Sequence, residues 1–126
     1  MVQSRFYHCC HCGNIVEMIH NAGVSMICCG EKMYPLPLNR EDASPEKHLP
    51  VVELENGVLR VRVGQAPHPM TLEHYIQWIY VKTPTGSMYR YLEPGQTPEA
   101  VFCLGAEQPS AVYAYCNIHG LWMTEL

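Results

Sequence analysis

Two cysteine knuckles in the first 38 residues constrain this chain more than any other feature. Cys9-Cys10-His11-Cys12-Gly13 and Cys28-Cys29-Gly30 each place thiols immediately before a glycine. A ligand knuckle must turn its backbone amides toward the sulfurs, and glycine permits that turn without steric cost. A segment of fewer than roughly 40 residues seldom buries enough apolar surface to fold alone. The cysteines are therefore expected to hold residues 1–38 together. Cys9 and Cys12 have the two-residue gap that lets one turn deliver two thiolates to one ion. Cys28 and Cys29 are adjacent, which opens the angle between their sulfurs and strains a tetrahedron. A set of four thiolates is compatible with zinc or with iron. Cys10 could replace Cys9 only through a tighter CxC loop, and His8, His11 and His20 read as solvated loop residues.

Seven cysteines in 126 residues is an odd number and a high density. Met1 to Phe6 does not resemble a signal peptide, so metal ligation is expected rather than disulfides, and a cytoplasmic location with it. Cys103, in the apolar run Ala100-Val101-Phe102-Cys103-Leu104, has no ligand-type neighbour and reads as a buried small hydrophobe. The net charge of −4 gives no electrostatic case for nucleic acid. No apolar run is long enough to cross a bilayer.

From Pro35 to Pro50 the chain is polar and proline-bearing, and is expected to be a linker ending in a loop that carries Glu46-Lys47-His48. Beyond it the pattern is β. Val51–Leu54 and Val58–Val63 flank Glu55-Asn56-Gly57, and Asn-Gly is the strongest short hairpin signal. Leu59, Val61 and Val63 alternate with Arg60 and Arg62, as in a half-buried strand. Further strands are expected at Tyr75–Val81, Ser87–Leu92, Ala100–Leu104 and Ser110–Cys116, with a single helical turn at Met70–His74. Short strands separated by Pro/Gly turns predict an antiparallel β-sandwich.

The second candidate site lies in this region. Cys116-Asn117-Ile118-His119 offers a thiolate and an imidazole at a strand end, and Pro67-His68-Pro69-Met70, His74 and His48 offer three more imidazoles. A lone histidine such as His48 is more often an ordinary polar residue; three residues after a cysteine, His119 reads as a ligand. Thiolate with imidazole suits a redox metal better than a closed structural zinc site. With Met123, Cys116 and His119 also fit a blue-copper pattern, but that uses one upstream histidine only. Four histidines favour iron held by four imidazoles and one thiolate. Alone, Glu46 and Lys47 would read as a solvated charge pair in a linker.

Over essentially its full length the chain resembles the desulfoferrodoxins, the two-iron class of superoxide reductase. The resemblance is carried by Tyr7-x-Cys9-x-x-Cys12-Gly13-Asn14-Ile15-Val16, Cys28-Cys29-Gly30, Glu46-Lys47-His48-x-Pro50, Pro67-His68-Pro69-Met70, His74-Tyr75-Ile76-x-Trp78-Ile79 and Tyr115-Cys116-Asn117-x-His119-Gly120-x-Trp122. It implies a desulforedoxin-like domain, residues 1–38, in which Cys9, Cys12, Cys28 and Cys29 bind a rubredoxin-like iron. It implies a catalytic immunoglobulin-like sandwich, residues 39–126, with 39–47 as linker and lid loop. There His48, His68, His74 and His119 would be equatorial and Cys116 axial ligands of a second iron. It further implies reduction of superoxide to hydrogen peroxide, with Lys47 steering the anion and Glu46 assisting product release. A rubredoxin-type electron donor and a homodimer belong to the same expectation. Cys10 and Cys103 fall outside the family's pattern. A blue-copper carrier, a zinc-stabilised binding module and a dismutase are the competing classes.

Overall fold

The computed structural model describes residues 5–126. The chain divides into two compact units, 1–38 and 39–126. In the first, β1 (Phe6–His8) pairs antiparallel with β2 (Ile15–Glu17) and, on its other side, with β5 (Tyr34–Pro35). A separate two-residue hairpin, β3 (Ile27–Cys28) with β4 (Glu31–Lys32), carries the second knuckle at its tip. Among the described residues of this unit, only Phe6, Cys9, Met33 and Leu36 are buried hydrophobics. So small an apolar set cannot offset the chain entropy alone, which puts the weight on the clustered sulfurs.

The second unit opens with one helical turn, α1 (Pro45–His48), followed by seven strands. They are β6 (Pro50–Glu55), β7 (Val58–Val63), β8 (Ile76–Thr83), β9 (Gly86–Tyr91), β10 (Glu99–Cys103), β11 (Ala111–Cys116) and β12 (Gly120–Glu125). All pairings are antiparallel, in a three-stranded sheet ordered β10-β7-β6 and a four-stranded sheet ordered β12-β11-β8-β9. This is the expected immunoglobulin-like sandwich. Its core is drawn from both sheets: Leu59, Val61, Val63 and Phe102 on one side, Ile76, Ile79, Val81, Val112 and Ala114 on the other.

Local chemistry explains the hairpins. Asn56 (φ 52°) and Gly57 (φ 76°) form the two-residue turn between paired Glu55 and Val58, as Asn-Gly predicts. Cys116 pairs with Gly120 across a loop of three residues, Asn117 to His119. Gly120 at φ 80° closes it, in the left-handed position that three-residue hairpins require.

Two expectations are corrected, for Cys103 and for the helical turn, and the structure adds a strand and an anchor. Cys103 is exposed, not buried. The two-residue period of β10 sends Ala100 and Phe102 inward and so turns Val101 and Cys103 out. The helical turn lies at Pro45–His48, where Pro45 occupies a first-turn position. At 71–74 the chain makes a tight reversal, in which Thr71 and His74 exchange both main-chain hydrogen bonds. Strand β12 was not expected; it exists because β11 supplies it with a full ladder. The segment read as a linker is tied down at Asn39. Its N–H donates to the Leu121 carbonyl (3.0 Å) and its side chain exchanges two hydrogen bonds with the Met123 main chain (2.8 and 3.2 Å).

Candidate metal centres

The knuckles bring the sulfurs of Cys9, Cys12, Cys28 and Cys29 within 4.8 Å of one another. Cys12 Sγ lies 3.7 Å from Cys28 Sγ. A tetrahedron with metal–sulfur bonds of about 2.3 Å has edges of roughly 3.8 Å, so that spacing suits a four-thiolate ion. The Gly13 N–H donates to the Cys9 carbonyl (3.0 Å), closing the first turn. Cys29 has φ 53° and Gly30 φ 76°, and this double left-handed turn is what lets adjacent cysteines share one centre. The Cys12 N–H points at Cys9 Sγ (3.5 Å) and, with that of His11, lowers the Cys9 thiol to about 6. The sulfurs of Cys12 and Cys9 push Cys29 up to about 12. Four thiolates this close repel, and a bound cation removes the repulsion. None of these cysteines is in a disulfide. Cys10 is exposed and outside the cluster. His11 is outside it too, its Nε2 3.0 Å from a Glu31 carboxylate oxygen in an exposed contact.

At one end of the sandwich His48, His68, His74, Cys116 and His119 bring five donor atoms within 4.8 Å of one another. The rings form a closed square. Neighbouring centroids are 4.7 Å (His48–His68), 4.7 Å (His68–His74), 5.0 Å (His74–His119) and 4.8 Å (His119–His48), all edge to face. Cys116 is a fully buried member of the hydrophobic core, so its sulfur meets the square from the core side.

Two of the imidazoles are anchored by main-chain carbonyls. His48 ends α1, with Nδ1 2.7 Å from the Ser44 carbonyl. His68 donates its N–H to the Val63 carbonyl (3.0 Å), and its Nδ1 lies 2.7 Å from the Pro69 carbonyl. A carbonyl fixes Nδ1 as the protonated nitrogen and leaves Nε2 with a lone pair. Those two Nε2 atoms face each other at 3.2 Å, and His48 Nε2 also lies 3.1 Å from His119 Nδ1. Burial lowers the His48 and His74 imidazoles and brings His68 down to about 4, so protonation does not relieve the convergence. His74 Nε2 is buried without a hydrogen-bond partner. Converging lone pairs with an orphaned buried nitrogen fit a cation. Burial raises the Cys116 thiol, while the His119 N–H, 3.3 Å from the sulfur, acts in the opposite sense.

Two groups near the square had no assigned role in the sequence. Trp122 is buried, stacks on the His48 ring (4.8 Å, 22°) and donates its indole N–H to the His119 carbonyl (3.1 Å). Gly64 lets the Glu46–His48 backbone approach the end of β7: a Cβ there would lie 2.6 Å from the Glu46 carbonyl oxygen. Met123 lies in β12 opposite Tyr113, and four imidazoles rather than the two of a blue-copper site gather with Cys116. Glu46 and Lys47 are exposed on the turn that buries His48.

A four-thiolate knuckle unit followed by a sandwich with a four-imidazole, one-thiolate cluster defines a two-centre metalloprotein. The chain belongs to the desulfoferrodoxin family. The family model described as desulfoferrodoxin matches residues 40–125, and that of the desulfoferrodoxin N-terminal domain matches residues 3–36. A desulfoferrodoxin of Nitratidesulfovibrio vulgaris is 42% identical over 98% of this chain and 97% of its own length. Another, of Syntrophotalea carbinolica, is 47% identical over 94% of each. The crystal structure of the superoxide reductase from Treponema pallidum is similar at TM-score 0.79 and 36% identity, covering 99% of this chain and all of that one.

Proposed function

We propose that this protein is a superoxide reductase with two iron centres. In this reading residues 1–38 are the desulforedoxin-like domain and bind one iron through Cys9, Cys12, Cys28 and Cys29. Residues 39–126 are the catalytic domain, with 39–47 as linker and lid loop. It binds the second iron through His48, His68, His74, His119 and Cys116. The observation that carries it is the square of imidazoles over a buried thiolate, which leaves the side away from the core for a small anion. The relatives named superoxide reductase support the same reaction.

Held by His48, His68, His74, His119 and Cys116, iron would supply the one electron that, with two protons, converts superoxide to hydrogen peroxide. The protein's share is positioning and charge. The Ser44 and Pro69 carbonyls hold the His48 and His68 lone pairs inward. Cys116 would hold the iron from the core side, its sulfur facing the His119 N–H at 3.3 Å, and a thiolate ligand there would add electron density to the metal. Lys47, exposed beside His48, draws the anion in and relays protons through water. Glu46, next to it, supplies the carboxylate that assists product release. A rubredoxin-type protein as electron donor, a homodimer and a cytoplasmic setting belong to this reading. A reducing compartment keeps the thiol ligands reduced.

Protein purified without air or chelators should carry two irons per chain. Pulsed with superoxide, it should yield one peroxide per superoxide and no dioxygen. Half that peroxide with dioxygen released would indicate a dismutase, and a single zinc without iron would indicate a binding module.

A further inference from the structure

We propose that Asn117 is the positioning residue for His74, an inference that rests on His74 being a ligand. Among the four imidazoles, His48 and His68 are oriented by a carbonyl on Nδ1. His119 is oriented by the hairpin tip, where its N–H meets Cys116 Sγ and its carbonyl accepts from Trp122. His74 has no such device. Among the described residues its ring makes no hydrogen bond, and its buried Nε2 has no partner. A ligating histidine ordinarily fixes its ring through the second nitrogen. Here the restraint is applied to the main chain on either side of the ring.

That restraint is one side-chain amide. Asn117 Nδ2 donates to the Glu73 carbonyl (2.9 Å) and Asn117 Oδ1 accepts from the Tyr75 N–H (2.9 Å). The Asn117 N–H adds a bond to the Tyr75 carbonyl (3.3 Å). The residues before and after His74 are thus held by a residue that stands between Cys116 and His119. Thr71 completes the frame, its hydroxyl exchanging hydrogen bonds with the His74 main chain (3.1 and 3.2 Å). Because the side chain uses a donor and an acceptor at once, aspartate could keep only the Tyr75 contact and alanine neither. The tip that carries Cys116 and His119 and the turn that carries His74 are one rigid piece.

The test compares Asn117→Ala, Asn117→Asp and His74→Ala in the full chain, with ferrous iron as the probe. Affinity at the second centre is read by chelator competition. The ferric paramagnetic resonance signal and the thiolate-to-iron absorption band report its geometry, and denaturation midpoints report stability separately. Asn117→Ala should bind the second iron roughly ten- to a hundredfold more weakly, with an altered ferric signal. It should retain the first iron, and the Tyr75 amide of metal-free protein should exchange with solvent faster. Asn117→Asp should fall between the two, and stands in for alanine if that variant does not fold. Unchanged affinity and spectrum in Asn117→Ala and Asn117→Asp, while His74→Ala loses the second iron, would overturn the positioning role alone. Retention of that iron by His74→Ala would overturn the ligand reading and the proposal with it.

Discussion

The Trp122 indole lies 4.8 Å from the His48 imidazole, 22° from parallel, while its N–H is donated to the carbonyl of His119. One buried side chain therefore braces two corners of the square. Trp122→Phe should keep most of the stack and lose the hydrogen bond, at about 1 kcal/mol of stability. Trp122→Ala should cost about 3–5 kcal/mol. In both, iron at the second centre should be released to a chelator faster than in the parent, while the first centre holds its iron. Denaturant midpoints and iron-release kinetics measure the two effects separately.

Gly64 should tolerate no side chain. A Cβ 2.6 Å from the Glu46 carbonyl oxygen and 2.9 Å from the Lys47 carbonyl carbon meets backbone, which cannot rotate away. Gly64→Ala is expected to destabilise the sandwich by about 1–3 kcal/mol and to shift the turn carrying His48. Fewer than two irons per chain, with the first centre intact, is the expected outcome. A variant with parental stability and full iron would show that the turn can move without loss.

The two centres should empty independently. His119→Ala should leave one iron, bound by four cysteines, and Cys28→Ser should leave one, bound in the sandwich. Metal analysis together with the distinct absorption of each centre decides this; loss of both irons from either variant would refute independence.

Lys47→Ala removes an exposed cation next to His48. The second-order reaction with superoxide should slow by roughly tenfold and lose much of its dependence on ionic strength. Pulse radiolysis at several salt concentrations gives both numbers. An unaltered rate would remove steering from the role of this lysine.

Cys10 and Cys103 are exposed and belong to neither cluster. Iron-loaded protein should therefore react rapidly at these two thiols without losing metal, and mass spectrometry of the labelled chain should find both modified. Rapid labelling at Cys12 or Cys29 instead would mean that the first centre does not protect its exposed ligands.

The most local features were the most legible in the sequence. Asn56-Gly57 dictates its own turn, and the alternation of Leu59, Val61 and Val63 with Arg60 and Arg62 exposes one face of β7 without reference to anything distant. The ligand types were equally plain. Their convergence was not. Two ring nitrogens at 3.2 Å come from His48 and His68, 20 residues apart, and no periodicity encodes that approach. Strand β12 was hidden because its partner ladder is contributed by β11, while its own residues read as a continuation of the Cys116–His119 motif. Cys103 was misplaced because an apolar run does not reveal which parity faces the core. Pro45 concealed α1, since a cluster of prolines suggests a linker although proline is at ease in a first helical turn.

The five donors sit where strands of both sheets end: His48 precedes β6, His68 follows β7, His74 precedes β8, and Cys116 and His119 cap β11 and β12. An ion seated there is a cross-link between the sheets. It closes, among others, a loop of 71 residues between His48 and His119. By chain entropy alone, a restraint of that size contributes on the order of 4 kcal/mol. Without the ion, that end of the sandwich loses this cross-link and keeps converging lone pairs, His48 Nε2 to His68 Nε2 at 3.2 Å, so unfolding should start there. Scarcity of iron would then deplete the folded protein itself, through proteolysis of opened chains, as well as the activity.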